Sequence, residues 1–392
     1  MRHGVCAMIR RMRFVHTSDW QIGKGFRFAD DDTLAVLQDQ RLEAIGRIGR
    51  LAREQGARLV LVAGDVWDMA APSDRTLRQP IERMRQFPDV HWHLIPGNHD
   101  PNLPGGLWER LLRAGLPDNV HAHLSPQPVK LATGATEREA WLLPAVLDRR
   151  HAFGDPTAGM DEVATPEGAL RIGLAHGSVR SFGSDPGSAH NLIAPDRARS
   201  SGLAHLALGD WHGMVPAGER SWYSGTPEPD GFDRGGDGGG SVLLVSLDDA
   251  TPTVTPHRVG RFLWRQERAM LTGRADIDAL EDRLRGIDRD DPSRVLAWLT
   301  VEGSLGIDDH AAYEDRICSG VASALRALRI DAARLELTAS PDDLASLGTS
   351  GALRDAADRL AIRAAEQQPD RDIAQAALQR LLFLAAREGT TP

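Results

Sequence analysis

Five short motifs rich in carboxylates, amides and imidazoles punctuate the chain. Carboxylate and amide oxygens together with imidazole nitrogens form a hard-to-borderline ligand set, suited to Mn, Fe, Mg or Zn rather than to copper or an iron–sulfur cluster. Two such ions can activate water for phosphoester hydrolysis when one carboxylate bridges them, and Asp65 is the natural bridge. The motifs are Asp19-Trp20-Gln21, Gly64-Asp65-Val66-Trp67-Asp68, Gly97-Asn98-His99-Asp100, His176-Gly177 and Gly209-Asp210-Trp211-His212-Gly213.

These motifs can meet only if the elements before them bring their ends to one place. Apolar runs predict strands over residues 13–17, 59–63 and 90–95, and a motif follows each of them. Apolar residues at spacings of three and four predict a helix over 33–55, and another helix begins near 72–73. Three strand-then-polar-loop units in succession favour an α/β layer whose functional groups lie at the carboxyl ends of its strands.

In the rest of the chain the predicted pattern of secondary structure changes twice. Between about 120 and 260, short apolar runs predict strands at 140–144, 170–176, 203–209 and 241–247. After Trp264 the pattern predicts the order strand, helix, strand, helix, strand, which is typical of a small two-layer domain. These elements are predicted at 265–271, 276–284, 294–301, 311–328 and 333–338.

The tail is predicted to form two helices split at Pro369. Packing of these helices on their own domain is the first interpretation, and docking to a partner is the alternative. The predicted division is a disordered segment 1–12, a main domain 13–260, an α+β domain 261–345 and a helical C-terminal segment 346–392.

The amino-acid composition of the chain excludes several classes of protein. The chain has 392 residues, of which 41% are hydrophobic and 26% charged, as in an ordinary soluble globular protein. No apolar run approaches the roughly 18 residues of a membrane-spanning helix, which excludes a membrane protein. Two cysteines cannot build a disulfide framework, so a cytoplasmic location is expected. The net charge of −9 gives no support to nucleic-acid binding, although a local basic groove is compatible with it.

Taken together, the motifs resemble those of the calcineurin-like metallophosphoesterases, and most closely those of the SbcD-type bacterial DNA-repair exonucleases. The resemblance covers residues 13 to about 260 well; the domain that follows corresponds in position to the family's capping domain. It implies a four-layer α/β/β/α metallophosphoesterase sandwich with a small α+β capping domain and a C-terminal helical tail. The residues that carry it are Phe14-Val15-His16-Thr17-Ser18-Asp19-Trp20, Ala63-Gly64-Asp65-Val66-Trp67-Asp68 with Pro72-Ser73, and Tyr223-Ser224-Gly225-Thr226-Pro227-Glu228-Pro229.

The resemblance also implies a site for two divalent metal ions. One ion would be held by Asp19, Asp65 and His212, and the other by Asp65, Asn98, His176 and Asp210.

Two positions depart from the family pattern, which has histidine where this chain has Gln21 and Asp210. Gln21 can offer its carbonyl oxygen to the first ion, but this oxygen is a neutral and weaker ligand than imidazole. Asp210 offers an anionic oxygen, which favours a harder ion. Mn is therefore the expected metal, with Mg, Fe or Zn as alternatives.

By the same resemblance the chain is expected to be a DNA end-processing exonuclease in repair that uses a dimetal-activated hydroxide. His99, next to Asn98, is the candidate to protonate the leaving 3′ oxygen. The expected partners are DNA ends, a second copy of the chain in a homodimer, and an SbcC-type coiled-coil ATPase that docks on the C-terminal helices.

Two other functions are compatible with the sequence. The same centre can serve a phosphodiesterase or phosphatase for small nucleotides, because fold and substrate class are not tied together. Alternatively, weakening of the first metal site through Gln21 would suit a non-catalytic binding subunit of the ATPase. The argument against this last function is the retention of the other predicted site residues Asp65, Asn98, His99, His176 and His212.

Overall fold

The computed structural model describes residues 12–133, 138–179, 190–232, 239–247, 252–338, 351–365 and 370–389. The chain divides into two compact units, Met1–Phe262 and Leu263–Pro392. The predicted disordered N-terminus, apart from Met12, and the predicted boundary between residues 345 and 346 fall outside the described residues.

The first unit contains many short strands and four α-helices in its described part. The strands are Met12–Thr17 (β1), Leu59–Val62 (β2), His91–Leu94 (β3), Val120–Ala122 (β4), Val129–Lys130 (β5), Ala140–Pro144 (β6), Leu170–His176 (β7), Ser178–Val179 (β8), Leu192–Ile193 (β9), His205–Gly209 (β10), Val215–Pro216 (β11), Ser221–Tyr223 (β12), Ser241–Leu247 (β13) and Thr253–Arg258 (β14). The α-helices are Asp31–Glu54 (α1), Asp74–Arg85 (α2), Leu107–Ala114 (α3) and Arg197–Ser200 (α4), and a 3₁₀ turn spans Ala158–Asp161.

Two six-stranded mixed sheets form the frame of this unit. The first has the order β14-β13-β1-β2-β3-β4, in which β1 to β4 run parallel. The second has the order β11-β12-β10-β7-β6-β5, in which β6, β7, β10 and β12 run parallel. Within each sheet the carboxyl ends of these parallel strands therefore share one edge, which is where functional groups gather in such sheets.

Three apolar cores define the layers of the unit. Between the sheets, Phe14 and Leu61 of the first sheet pack in one cluster with Ile172 and Leu174 of the second. The opposite face of the first sheet packs against α1, α2 and α3, which contribute Ile45, Leu77 and Leu111. The opposite face of the second sheet packs against the 3₁₀ turn and α4, which contribute Met160 and Ala198. The predicted four-layer α/β/β/α sandwich is confirmed.

The start of α1 shows why its predicted boundary is two residues late. The apolar periodicity begins only at Leu34, but the side chain of Asp30 caps the helix by accepting a hydrogen bond from the Thr33 amide at 2.8 Å. Asp31 and Asp32 then occupy the first turn, where negative charge favourably meets the positive end of the helix dipole.

The second unit is α+β. Its strands Leu263–Leu271 (β15), Val295–Gly306 (β16) and Ala327–Thr338 (β17) form one parallel sheet in that order. Its helices are Arg274–Arg285 (α5), Ile307–Tyr313 (α6), Ala322–Ala324 (α7), Ala352–Ala365 (α8) and Arg371–Gly389 (α9), with a π-helical stretch over Glu314–Val321 and a 3₁₀ turn over Pro292–Arg294. No helix in the described part of the chain is long and apolar enough to cross a membrane.

One predicted helix of this unit, 311–328, runs too far. The backbone turns extended at Leu325, and β17 already begins at Ala327, six residues before its predicted start. Residues 327–331 pair with residues 296–300 of β16, and this pairing overrides the helix-favouring composition of the segment. Farther along, Ala357, Leu378 and Leu382 of the C-terminal helices pack with Ile307, so these helices contact their own unit.

The fully buried Arg41 joins α1 to the loops that follow β1 and β12. Its guanidinium donates to the carbonyl oxygens of Trp20 at 2.8 Å, Glu228 at 3.2 Å and Asp19 at 3.4 Å, and to the hydroxyl of Thr226 at 3.2 Å. A lysine could not reproduce this fork of donors. Arg41 thus holds the backbone of the first chemical motif in place.

We expect Arg41→Met to lower the free energy of unfolding by about 3–5 kcal/mol, because it removes one member of a buried charged network and takes a hydrogen-bond donor from the carbonyl oxygens of Asp19 and Trp20. Arg50→Met, at an exposed position of the same helix, is the matched control and should change stability by less than about 0.5 kcal/mol. Urea unfolding followed by circular dichroism measures both. Equal effects of the two substitutions would contradict the anchoring role.

Candidate metal centre

All eight predicted site residues lie at or just beyond the carboxyl end of a parallel strand. The first sheet contributes residues after three adjacent strands, and the second sheet contributes residues from two adjacent strands. Asp19 and Gln21 follow β1, Asp65 follows β2, Asn98 and His99 follow β3, His176 ends β7, and Asp210 and His212 follow β10.

The backbone at four of these residues is left-handed. The φ angle is 54° at Asp19 and at Asp65, 45° at Gln21 and 107° at Asp210. Asp tolerates this region better than most residues, whereas Gln adopts it at a larger cost. Hydrogen bonds from the Asp19 amide to the Gly64 carbonyl at 3.1 Å and from the Gln21 amide to the Asp65 carbonyl at 2.9 Å fix the two turns against each other. Strained backbone of this kind concentrates at functional sites.

Close backbone approaches bring the turns together. A Cβ on Gly97 would lie 2.1 Å from Oδ1 of Asp65, and one on Gly209 would lie 2.0 Å from the carbonyl oxygen of Ala63. Both positions therefore require glycine. The Gly209 contact also shows that the ends of β2 and β10, which belong to different sheets, touch at the site.

The centre of the site is a buried group of two carboxylates and one imidazole. Among the residues that the structure describes, Asp19, Asp65 and His176 offer ligand atoms that all lie within 4.8 Å of one another. His176 donates from Nδ1 to the Ala63 carbonyl at 2.8 Å, and its Nε2 lies 3.6 Å from Oδ1 of Asp65. Burial opposes protonation of His176, but the carboxylates of Asp65, Asp19 and Asp210 outweigh it and raise its pKa to about 9.

Two buried atoms of the predicted ligands have no hydrogen-bond partner within the described residues: Nε2 of His176 and Oδ1 of Asn98. The Asn98 amide is oriented by Nδ2, which donates to Oδ1 of Asp210 at 3.1 Å, and the Ser178 hydroxyl donates to Oδ2 of Asp210 at 2.5 Å. Buried polar atoms are rarely left unpaired. A divalent cation would satisfy both atoms, so the donor set of Asp65, Asn98, His176 and Asp210 fits a metal ion of the Mn or Mg type.

The ligands predicted for the first ion form the first group, and they are arranged differently from the second group, Asp65, Asn98, His176 and Asp210. His212 hydrogen-bonds through Nδ1 to Oδ2 of Asp230 at 2.7 Å, and its Nε2 lies 3.1 Å from Nε2 of Gln21. Lys24 donates to Oε1 of Gln21 at 2.5 Å and lies 3.1 Å from Oδ2 of Asp230. Burial alone would raise the pKa of Asp230, but the hydrogen bond with His212 and the charges of Arg41 and Lys24 lower it well below its usual range.

His99 stands beside the carboxylates. Its backbone amide donates to Oδ1 of Asp65 at 2.9 Å, and its Nδ1 hydrogen-bonds to the carbonyl oxygen of Asp68 at 3.0 Å. Its side chain is 28% exposed, so it is accessible to a substrate. Asp100 instead holds the loop, because it accepts hydrogen bonds from the amides of Gly97 and Trp67; burial first, and then the charge of Asp65, raise its pKa.

The three tryptophans that flank the motifs have two different roles. Trp20 and Trp67 are buried in the core under the helices and do not line a crevice. Trp211, between Asp210 and His212, is 44% exposed. Of the three, Trp211 is therefore the one that could contact a ligand.

Three polar residues of the site were not predicted from the sequence: Lys24, Ser178 and Asp230. Two signals were available for them. Lys24 is one of two lysines in a chain otherwise supplied with arginine, and it lies three residues after Gln21. Asp230 directly follows the segment 223–229 that carried part of the family resemblance.

Comparison with known proteins agrees with this geometry. Residues 12–146 match the sequence profile of the calcineurin-like phosphoesterases. The predicted likeness to metallophosphoesterases is confirmed for this part of the chain, which includes the motifs of Asp19, Asp65 and Asn98. Metal ligation by the seven predicted side chains stays a prediction. The comparison with curated proteins gave no significant match.

Several solved structures are similar to part of the chain. The protein TT1561 of Thermus thermophilus is 13% identical, with a TM-score of 0.41, over 64% of this chain and 100% of that one. GAP50, the anchor in the inner membrane complex of Plasmodium, is 10% identical, with a TM-score of 0.41, over 64% of this chain and 85% of that one. A dimetal phosphatase from Danio rerio is 11% identical, with a TM-score of 0.37, over 63% of this chain and 96% of that one.

Asp65→Asn should lower the affinity for Mn by more than about 100-fold, a loss beyond that seen when a residue merely supporting a ligand is removed. The metal-free variant should stay folded, because the substitution relieves repulsion between Asp65 and Asp100 while it weakens the attraction between Asp65 and His176. Calorimetric titration with Mn and thermal unfolding in chelator measure the two effects. Asp89→Asn, at an exposed position, is the matched control; unchanged Mn affinity in Asp65→Asn would contradict the predicted ligand role.

Proposed function

We propose that this protein is a metal-dependent phosphodiesterase that acts on DNA, as an end-processing exonuclease in repair. The observation that carries the hydrolytic part of the proposal is the buried group of Asp19, Asp65 and His176, with the unpaired Nε2 of His176 directed at the carboxylates. The match of residues 12–146 to calcineurin-like phosphoesterases supports the same chemistry.

Divalent ions bound here would supply the positive charge that polarises a phosphate and lowers the pKa of water. The protein's own contribution begins with orientation of the ligands. The Ala63 carbonyl fixes the ring of His176, and Asp210 fixes the amide of Asn98, so that one buried atom of each side chain is left without a hydrogen-bond partner among the described residues. Such fixed partners keep a site in its productive geometry.

His99 would handle the proton of the leaving group. Its Nδ1 faces a carbonyl oxygen, that of Asp68, so Nδ1 carries a hydrogen and Nε2 is the atom left to exchange a proton with substrate. A protonated Nε2 could donate to the 3′ oxygen as the phosphodiester bond breaks.

DNA as the substrate rests on the resemblance to SbcD-type exonucleases and on the exposed indole of Trp211 beside two site residues. Aromatic side chains next to a phosphate-binding site can stack on unpaired bases regardless of sequence. The negative net charge of the chain does not favour binding of a nucleic acid. A phosphodiesterase for small nucleotides is therefore the alternative function, and the assay described below distinguishes it from a DNA exonuclease.

The expected homodimer and coiled-coil ATPase partner belong to the same proposal. The C-terminal helices turn Ala357, Leu378 and Leu382 towards their own unit, yet Ile362 and Ile373 remain 61% and 71% exposed. Apolar side chains exposed on helices that are already packed on one side suit a docking surface.

The principal test compares substrates. Purified protein is incubated with end-labelled single- and double-stranded DNA under Mn, Mg and Zn, beside bis-p-nitrophenyl phosphate and cyclic nucleotides. The proposal expects shortening of DNA from its ends with Mn. Hydrolysis of cyclic nucleotides but not of DNA would favour the small-nucleotide enzyme, and hydrolysis of none of them would favour the non-catalytic subunit.

His99→Ala should lower turnover by about 100- to 10,000-fold, the usual contribution of a general acid, while metal content stays as in the parent. Single-turnover DNA cleavage and elemental analysis measure the two quantities. His257→Ala, on the edge strand β14, is the matched control and should keep full activity. Loss of metal together with activity would show that His99 supports the metal site rather than the proton transfer.

Trp211→Ala should weaken binding of single-stranded DNA by about 5- to 150-fold, which corresponds to the 1–3 kcal/mol of one stacked base. Hydrolysis of bis-p-nitrophenyl phosphate, which offers no nucleobase, should change little. Trp211→Phe keeps an aromatic face and should retain most of the affinity. Fluorescence anisotropy with labelled oligonucleotides measures the binding, and equal affinity of parent and Trp211→Ala would remove the structural support for DNA.

A further inference from the structure

We propose that Lys24 is a built-in cation of the first metal subsite, so that the protein holds one divalent ion, on Asp65, Asn98, His176 and Asp210, rather than two. The inference rests on the proposed metal-dependent function, but it concerns the number of metal ions bound per chain, which a measurement of activity alone does not give. It gives a role to a lysine that lies outside the five motifs.

The first step is the orientation of the Gln21 amide. An ammonium group can only donate hydrogen bonds, so the Gln21 atom that lies 2.5 Å from Nζ of Lys24 must be the oxygen. The amide nitrogen then faces Nε2 of His212 at 3.1 Å and donates to it. An exchange of the oxygen and nitrogen positions would place donor against donor at Lys24, so the network admits one orientation.

The second step follows from His212. Its Nδ1 faces the carboxylate of Asp230 at 2.7 Å and therefore carries the hydrogen, which leaves the lone pair of Nε2 as the acceptor for the Gln21 amide. The two neutral ligand atoms predicted for the first ion, Oε1 of Gln21 and Nε2 of His212, are thus both engaged in hydrogen bonds within the protein.

The third step is the contrast between the two ligand groups. Nε2 of His176 and Oδ1 of Asn98 are buried without a hydrogen-bond partner in the described chain, as a metal ligand would be before its ion binds. The first group has no equivalent unpaired atom on Gln21 or His212. The donor atoms of His176 and Asn98 therefore fit an ion, and those of Gln21 and His212, as arranged, do not.

The fourth step is electrostatic. The ammonium of Lys24 lies 3.1 Å from Asp230 and 3.8 Å from Asp68, so it forms part of the charge balance of this acidic region. An ion bound through Oε1 of Gln21 would share that oxygen with the ammonium, and the like charges would repel each other strongly in a site with little water. Binding of a second ion through Gln21 therefore requires displacement of Lys24.

Lys24 can also take over part of the work of the missing ion. Its side chain is 20% exposed, so the ammonium can approach a phosphate oxygen from the site. Lysine binds phosphate as a compact point charge on a flexible stem, which suits neutralisation of a substrate whose position varies.

The test is metal stoichiometry, read by equilibrium dialysis with elemental analysis and by electron paramagnetic resonance of Mn. The parent protein should bind one Mn per chain and give the six-line signal of an isolated ion. Lys24→Met combined with Gln21→His removes the ammonium and restores an imidazole; this variant should bind two Mn per chain and show the reduced signal of a spin-coupled pair. Lys130→Met, at the other lysine of the chain, lies on the surface and is the matched control.

Two Mn per chain in the parent at saturation, or one in the folded double variant, would overturn the inference. If the double variant does not fold, Lys24→Met alone at high Mn provides the comparison, with the expectation of a second, weaker ion. Failure of the proposed function is read separately from DNA hydrolysis by the parent. A parent that cleaves DNA with two bound ions defeats the role of Lys24 alone, and a parent that binds one ion and cleaves nothing defeats the function alone.

Discussion

Repulsion between buried carboxylates is the constraint on which the rest of the first unit depends. Asp19, Asp65 and Asp100 are all nearly inaccessible to solvent, and the pKa of Asp100 is raised by its burial and by Asp65. Buried charges persist only where partners compensate them. His176 provides that compensation through its imidazole ring, and Arg41 through its guanidinium, which also hydrogen-bonds to the backbone carbonyls of Asp19 and Trp20.

The same constraint explains why the surrounding loops are so closely specified. A loop that brings a carboxylate to the centre also has to satisfy its own backbone groups without water. The left-handed turns at Asp19 and Asp65 do so by hydrogen-bonding to each other, and Gly97 keeps the approach clear of a Cβ. The polar part of the site is thus built from backbone geometry as much as from side chains.

Much of this arrangement follows from the sequence, because parallel strands with polar residues at their carboxyl ends leave few places for a site. The strands over 140–144, 170–176 and 241–247 have the predicted bounds, since each is a mostly buried and mostly apolar run. The predicted helix over 311–328 is wrong in its last part, where pairing with β16 decides the structure. Pairing partners are distant in sequence, and a local pattern does not contain them.

The roles of the site residues divide in the same way. Residue types predict that Asp19, Asp65 and His176 can meet, and the structure brings them together. The partner of Gln21, Lys24, lies three residues on in the same loop, whereas Asp230 reaches His212 from a different loop, so no local pattern encodes the whole network. The direction of each hydrogen bond in such a network depends on all the other members, so it can be assigned only from the three-dimensional structure.

The contact between Gly209 and the Ala63 carbonyl gives the ligand set one more property. The carboxylate of Asp65 comes from one sheet, and the imidazole of His176 and the carboxylate of Asp210 come from the other. An ion held by all three would be a cross-link between the two halves of the sandwich, comparable to the disulfides of secreted domains but reversible. The unfolded chain does not present these ligands together, so the free energy of metal binding would add to the stability of the packing between the sheets.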